Sequence, residues 1–442
     1  MNETTKRPAR ATLIASAGML LALAGAAAQA QAPAEGTDAT AAAPNQASSP
    51  YYIGASQGFT HDSNVYRIPS GPGDNYSSTS LLAGFDQRIS RQRVFGTMNV
   101  GLNRYQDQTR LNNTSYDLAA GLDWETLYNL TGSVSATLDQ RLAAPTASVA
   151  APQARRNLAE RQGVSGVARW GGASLFTLEG TLGYSTLDYS APAYVSSESK
   201  QEYGSLGLYY RQSSLLRLGV AVRLDRTRTP QAFQQPDGTF LPNQINGRRL
   251  NFLADYELTN RLNANGRLSY TRQTNSSAGN DADFSGITGD LRLAYRATAK
   301  LAFSLFAARQ AGYDTNRSGL PVVPVDTTPA TTPIAGLYEN NRVTNSLGLG
   351  ATYEATSKIN VNAGLNYARA RIVSTLATTT GNVGSPDIVD ELKGATLGVT
   401  YAIARPWLLA CNLAHDERDV SGAVAYSYQA TSIGCSARFT WR

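Results

Sequence analysis

The chain has 442 residues, 42% hydrophobic and 16% charged, with a formal net charge of +6. Its arginines are interspersed with Asp and Glu instead of forming a basic block, which argues against nucleic acid as a partner. Two cysteines are too few for a structural zinc site. A mean hydropathy of −0.28, with no long unbroken apolar run after residue 30, excludes spanning helices from the remainder.

In chain order, Lys6, Arg7 and Arg10 precede an apolar stretch over 11–28 that closes on Ala28-Gln29-Ala30. This is the pattern of a secretory signal peptide over 1–30, cut after Ala30 or one step earlier. No cysteine follows the apolar run, so a lipid anchor is not expected. Residues 31–50 are Ala, Pro, Ser, Thr and Gln with few large apolar groups, a composition that stays disordered, here as a periplasmic tail.

From Tyr51 to Arg442 one pattern holds, and it reads as a single domain. Tyr116, Leu118, Ala120, Leu122 and Trp124 alternate with Ser115, Asp117, Gly121, Asp123 and Glu125. The same alternation returns at Leu130 to Leu138, Leu216 to Leu224, Leu262 to Tyr270, Val343 to Tyr353, Ile359 to Tyr367 and Ala395 to Ile403. Period two gives each strand one apolar and one polar face. Tight turns are expected at Ser90-Arg91, Tyr128-Asn129, Gly171-Gly172, Ser213-Ser214, Thr259-Asn260, Thr298-Ala299, Ser357-Lys358 and Arg405-Pro406. Longer polar connections fall between them at 61–77, 106–113, 143–157, 190–200, 229–247, 275–284, 314–341, 372–391 and 419–425. Alternating short and long connections, with aromatics near strand ends as at Trp124, Trp170, Tyr256 and Trp407, are the mark of an outer-membrane barrel. The fold expected is all-β: a transmembrane antiparallel up-and-down barrel of about eighteen strands, sixteen being the alternative. Its short turns would face the periplasm and its long loops the exterior of a Gram-negative outer membrane. A soluble sandwich would alternate too, but its strands are usually shorter.

The last strand sets Ile433, Cys435, Ala437, Phe439 and Trp441 on one face. It resembles the signal read by the barrel-insertion machinery, except that the terminal residue is Arg442 and not an aromatic. The run YYIGASQGFTHDSNVYRIP from Tyr51, followed by SRQRVFGTMNVGLNRY from Ser90, is similar to the opening of exopolysaccharide-biosynthesis outer-membrane proteins of EpsL type, grouped with β-barrel porins. The resemblance implies a role in making or exporting a surface polysaccharide, with periplasmic export components as partners besides outer-membrane lipid and lipopolysaccharide. The alternatives are a general diffusion porin and a non-conducting scaffold of an export complex.

With the polar face inward, Arg88, Arg141, Arg169, Arg211, Arg217, Arg223, Arg249, Arg267, Arg292, Arg296 and Arg438 enter the lumen. Asp86, Asp117, Asp123, Glu125, Asp139, Glu179, Asp225, Asp255, Glu257, Asp290 and Glu354 join them. These charges either pair across strands and solvate the wall or form a sugar path. The path would use Arg141, Arg169, Arg211, Arg217, Arg223, Arg267 and Arg292, with Tyr105, Tyr203 and Tyr209 offering ring faces to pyranoses. Whether loop 229–247 or 314–341 folds inward to close it stays open.

No catalytic residues and no cofactor are expected, since the only histidines are His61 and His415 and His61-Asp62-Ser63-Asn64 in a loop does not make a nucleophile and base. If the first strand closes the barrel beside the last, His61 and Asp62 approach His415, Asp416 and Glu417, a candidate Ca²⁺ or Zn²⁺ site at the rim. Cys411 and Cys435 fall on the apolar faces of the last two strands at nearly opposed positions and form a candidate disulfide in an oxidising compartment.

Overall fold

The computed structural model describes residues 50–441, except 144–155, 172–173, 235–238, 260, 277–282, 317–336, 379–380, 385–387 and 422–426. The expected leader and all but the last residue of the tail lie outside the described residues, as do parts of several long connections. The first strands are β1 (Tyr51–Asp62), β2 (Asp74–Ile89), β3 (Gln92–Tyr105), β4 (Asn113–Glu125), β5 (Leu130–Leu142) and β6 (Leu158–Trp170). There follow β7 (Phe176–Tyr189), β8 (Ser199–Arg211), β9 (Leu216–Gln234), β10 (Phe240–Thr259), β11 (Leu262–Asn275), β12 (Phe284–Arg296) and β13 (Leu301–Asn316). The chain ends with β14 (Leu337–Glu354), β15 (Ile359–Thr378), β16 (Gly381–Gly384), β17 (Ile388–Ala404), β18 (Trp407–Val420) and β19 (Tyr428–Trp441).

Every neighbouring pair is antiparallel, and β1 pairs with β19 from Ile53↔Trp441 to Asp62↔Ser432, which closes the sheet. The four-residue β16 adds to the end of β15, while β15 pairs directly with β17, so the closed wall has eighteen staves. The tight turns stand where Gly, Ser and Asn punctuate the alternation. Asn129 takes φ 57° and Gly171 φ 84°, the left-handed conformations that short hairpin turns need.

Two expected loops prove to be largely strand. Over 229–247, β9 and β10 continue to pair, with a register shift between Leu241 and Asn243 beside Pro230 and Pro242. A bulge is where a sheet tolerates proline, so the hairpin extends through sequence that looks like loop. Over 372–391, β15, β16 and β17 take up most of the segment.

The interior is polar and the exterior apolar. Leu182, Leu206, Leu224, Ile287 and Leu365 are all more than half exposed, and the ladder puts each on the outward face. A closed barrel satisfies its backbone polar groups internally, so such an apolar wall is stable only against lipid. Buried positions include many polar residues, several of them hydrogen-bonded to one another: Ser269 donates to Asn251 at 2.7 Å, and the Thr271 and Thr288 hydroxyls lie 2.6 Å apart.

Candidate functional site

Strand pairing fixes which side chains share the lumen. Starting from outward Leu118, Leu182 and Leu268, the registers place Tyr105, Arg141, Arg169, Tyr203, Tyr209, Arg211, Arg217, Arg223, Arg267 and Arg292 on the inward face.

On β6–β12 these arginines gather around fewer carboxylates. Glu179 accepts from Arg169 Nε at 2.6 Å and lies 3.5 Å from Arg217, which also reaches Asp255 at 3.8 Å. Asp225 is shared by Arg249 at 3.2 Å and Arg223 at 3.9 Å. Arg267 pairs with Asp290, and Arg141 with Asp139 at 2.9 Å. Arg211 stands opposite Arg217, and Arg292 lies over the Phe306 ring at 5.1 Å; neither forms an ion pair among the described residues. This arc of the lumen therefore has cations to spare. Arg249, absent from the expected path, belongs to it, and its inward parity was the available signal.

The remaining arc differs. On β13–β15 and β17–β19 the inward positions at mid-height are uncharged and, Phe306 apart, mostly small, among them Ser304, Ser346, Asn362, Thr396, Asn412 and Ser432. Charge returns toward the end bearing the long connections, where Asp390 accepts two hydrogen bonds from Arg418 at 2.8 Å and lies 3.6 Å from Arg342.

Two of the three tyrosines expected as sugar platforms, Tyr203 and Tyr209, are packed against the wall. A Cβ on Gly183 would stand 2.3 Å from Tyr203, and one on Gly219 would stand 2.4 Å from Tyr209, so each ring lies flat on a neighbouring strand's glycine. The other faces are covered by Arg223 at 3.9 Å and Arg217 at 3.8 Å. Both faces are occupied by wall atoms, and Tyr209 donates its hydroxyl to Glu179 at 3.2 Å. Tyr105 stacks on Tyr76 with centroids 4.9 Å apart. Cation–π contacts stiffen the guanidiniums that face the lumen.

The candidate metal set is not assembled. Consecutive strand residues point to opposite sides of the wall, so exposed His61 and His415 face outward while buried Asp62 and Asp416 face inward. His61 Nδ1 lies 2.9 Å from Asn75 Oδ1, and His415 Nδ1 lies 2.8 Å from Thr431 Oγ1. Asp62 instead pairs with Arg67 at 2.8 Å, and Glu417 faces outward beside Lys393 at 4.0 Å. Among the described residues no three His, Cys, Asp or Glu side chains come close enough to hold an ion.

Two of the expected long connections, 61–77 and 190–200, are fixed at the mouth by contacts that the sequence pattern does not show. The first loop is tied down by Asn64 Nδ2 donating to Gln429 O at 3.0 Å and by Tyr66 donating to Gln108 at 2.7 Å. A 3-10 turn at Pro192–Ser197 packs on β9 and touches β13, so it leans across the opening. Its anchor is buried Ala191, whose N–H donates to Asn157 Oδ1 at 3.1 Å.

No protein-family model matches the chain, and neither does any curated sequence. The resemblance, strongest over 51–69 and 90–105 and extended by the strand pattern to the closing CSARFTW, has no counterpart in either comparison. Among solved structures, the chain is similar to the outer membrane protein opdK from Pseudomonas aeruginosa, at 11% identity and a TM-score of 0.45 over 88% of this chain and 99% of that one. It is also similar to OpdL of the same organism, at 12% identity and 0.42 over 90% and 99%. The siderophore receptor PiuA from Acinetobacter baumannii matches at 10% identity and 0.43 over 90% and 82%.

Proposed function

We propose that the protein is a channel of the Gram-negative outer membrane that passes polar solutes and favours anions. It reaches the membrane through the periplasm by its leader and is assembled by the barrel-insertion machinery. Its short turns face the periplasm and its long connections the exterior. The observation that carries the reading is the arginine surplus on β6–β12: Asp225 serves both Arg223 and Arg249, while Arg211 and Arg292 have no carboxylate partner among the described residues. A lumen with fixed positive charge concentrates anions and repels cations. A barrel of this strand number is wide enough for water. Planar-bilayer recording across a salt gradient tests it: the reversal potential should take the sign of anion preference, and a cation-selective pore would overturn the proposal.

The substrate reading favoured by the sequence resemblance is an exopolysaccharide. An acidic polysaccharide would meet arginines for its carboxylates on one arc and Asn, Ser and Thr for its hydroxyls on the other. Deletion of the gene should then abolish surface polysaccharide, and unchanged capsule or slime would leave a general diffusion porin. A non-conducting scaffold predicts no current steps and normal sugar export after replacement of Arg217 and Arg223.

A further inference from the structure

On β8–β12 the outward positions read, across one row, Leu206, Val222, Leu250, Tyr270 and Ile287, each in register with the next. All five are exposed and belong to the apolar belt. One outward step further toward the long connections, about 7 Å along a strand, the row reads Leu224, Arg248, Arg272. Arg226 stands in the row beyond, with Arg228 and Lys200 in the next. The lipid-facing wall thus passes directly from hydrocarbon to arginine.

Arg248 and Arg272 are exposed and directly opposed across the β10–β11 ladder. Neither has a hydrogen-bond or ion-pair partner among the described residues. Like charges facing one another across a ladder are destabilising. The acid on this face, Glu202, lies 4.0 Å from Arg228. Arg226 is held by its Nε donating to Asn246 Oδ1 at 3.3 Å, beside the pair. Elsewhere on the outer wall, toward the same end, Arg369 meets Glu391 at 3.3 Å and Lys393 meets Asp419 at 3.2 Å, while exposed Arg104 on β3 is single, with no second arginine opposite it. On β10–β11 two such arginines stand directly opposite one another, with a third, Arg226, in the next row.

We infer that Arg248 and Arg272, flanked by Arg226, bind the phosphate groups of a phosphorylated lipid of the outer leaflet, of the lipopolysaccharide kind. Guanidinium forks match phosphate oxygens in bidentate geometry, and an anion between the two arginines removes their mutual repulsion. The acyl chains would lie along Leu224, Leu250 and Tyr270 directly below. The inference takes its leaflet from the orientation proposed above, but its test does not depend on channel activity.

Purified protein in detergent would be titrated with rough lipopolysaccharide, with dephosphorylated lipid A and with phosphatidylethanolamine, bound lipid being read by native mass spectrometry. Binding of lipopolysaccharide should weaken at least about tenfold in R248Q/R272Q, as expected on losing two charge-assisted contacts. It should be unchanged in R369Q, and dephosphorylated lipid A should bind the native protein no better than lipopolysaccharide binds the double variant. Heat-modifiable migration reports folding; if the glutamine variant fails to fold, R248K/R272K keeps the charge and should show a smaller loss of affinity. Equal affinity of native and variant protein overturns the inference, as does equal binding of dephosphorylated lipid A. Full displacement by millimolar inorganic phosphate would also overturn it, by revealing a site for the free anion. Bilayer conductance and selectivity of R248Q/R272Q should match the native protein, so failure of this inference and failure of the channel reading give different results.

Discussion

The guanidinium of Arg217 lies 3.8 Å above the ring of Tyr209, and the opposite face of that ring rests on Gly219 of the adjoining strand. Arginine, tyrosine and glycine form one layer of the lumen wall, and Arg223, Tyr203 and Gly183 repeat it. The tyrosine supports a charge that faces the channel and keeps neither face for a solute.

Glycine is needed beneath that ring for steric reasons. In Gly219→Ala the new Cβ would meet Tyr209 at 2.4 Å, so the ring and Arg217 must shift, whereas a Cβ on Gly180 meets nothing within 4 Å. Overpacking of this kind costs about 1–3 kcal/mol, so G219A should lower the denaturant midpoint of heat-modifiable, folded protein while G180A leaves it in place. Equal midpoints would show that the stacked layer does not contribute to stability.

Selectivity should respond to the arginines that lack carboxylates. Replacing Arg211 and Arg292 with Gln removes two lumenal charges without stranding an acid, so folding should be kept. The anion-to-cation permeability ratio is expected to fall by about twofold or more, since fixed charge sets the local ion concentration, and the effect should fade at high salt. A reversal potential identical to that of the native pore at low salt would place these side chains away from the conduction path.

Sidedness can be read from two single cysteines. Arg110 lies in the 3-10 turn Thr109–Leu111 between β3 and β4, and Tyr128, 83% exposed, lies in the short turn between β4 and β5. An impermeant maleimide added to intact cells should label R110C and spare Y128C, with both labelled after lysis. The reverse pattern would invert the barrel and move the Arg248–Arg272 pair to the inner leaflet.

Much of this architecture is visible in the sequence because a barrel imposes period two on every strand and breaks it at short turns such as Tyr128-Asn129. Leu130, Val134 and Leu138 announce a face by themselves. Contacts that depend on cross-strand register are not visible in the same way: nothing near Tyr203 in the chain says that Gly183 lies under its ring. Pro230 and Pro242 read as loop because a bulge that accommodates them leaves no local signature. The separation of His61 from Asp62 was legible in principle, since adjacent strand residues cannot share a face. Circumferential position matters as well, because the division into a charged and a neutral arc appears only once the strands are laid side by side.

The last relationship concerns the closing hairpin. Sequence patterning set the two cysteines at nearly opposed positions, and the ladder, which pairs Arg418 with Tyr428, puts Cys411 directly opposite Cys435. Their Cα atoms are 4.1 Å apart and the sulfurs are joined. Both cysteines point outward beside Leu409, Leu413, Ile433 and Phe439, in the lipid-facing belt. A bond there is shielded from water-soluble reductants as long as the barrel is folded. Its partners are separated by 24 residues, and closing a loop of that order restricts the unfolded chain by roughly 3 kcal/mol in the chain-entropy model. Protein isolated from the outer membrane and alkylated without reduction should therefore yield a cross-linked peptide pair, and a hydrophilic phosphine should cleave it rapidly only after denaturation. The C411A/C435A variant should still fold but unfold at lower denaturant. Alkylated thiols at both positions in the unreduced native protein would show that the bond does not form in the cell, and rapid reduction of folded protein would show that the pair is not shielded by lipid or detergent.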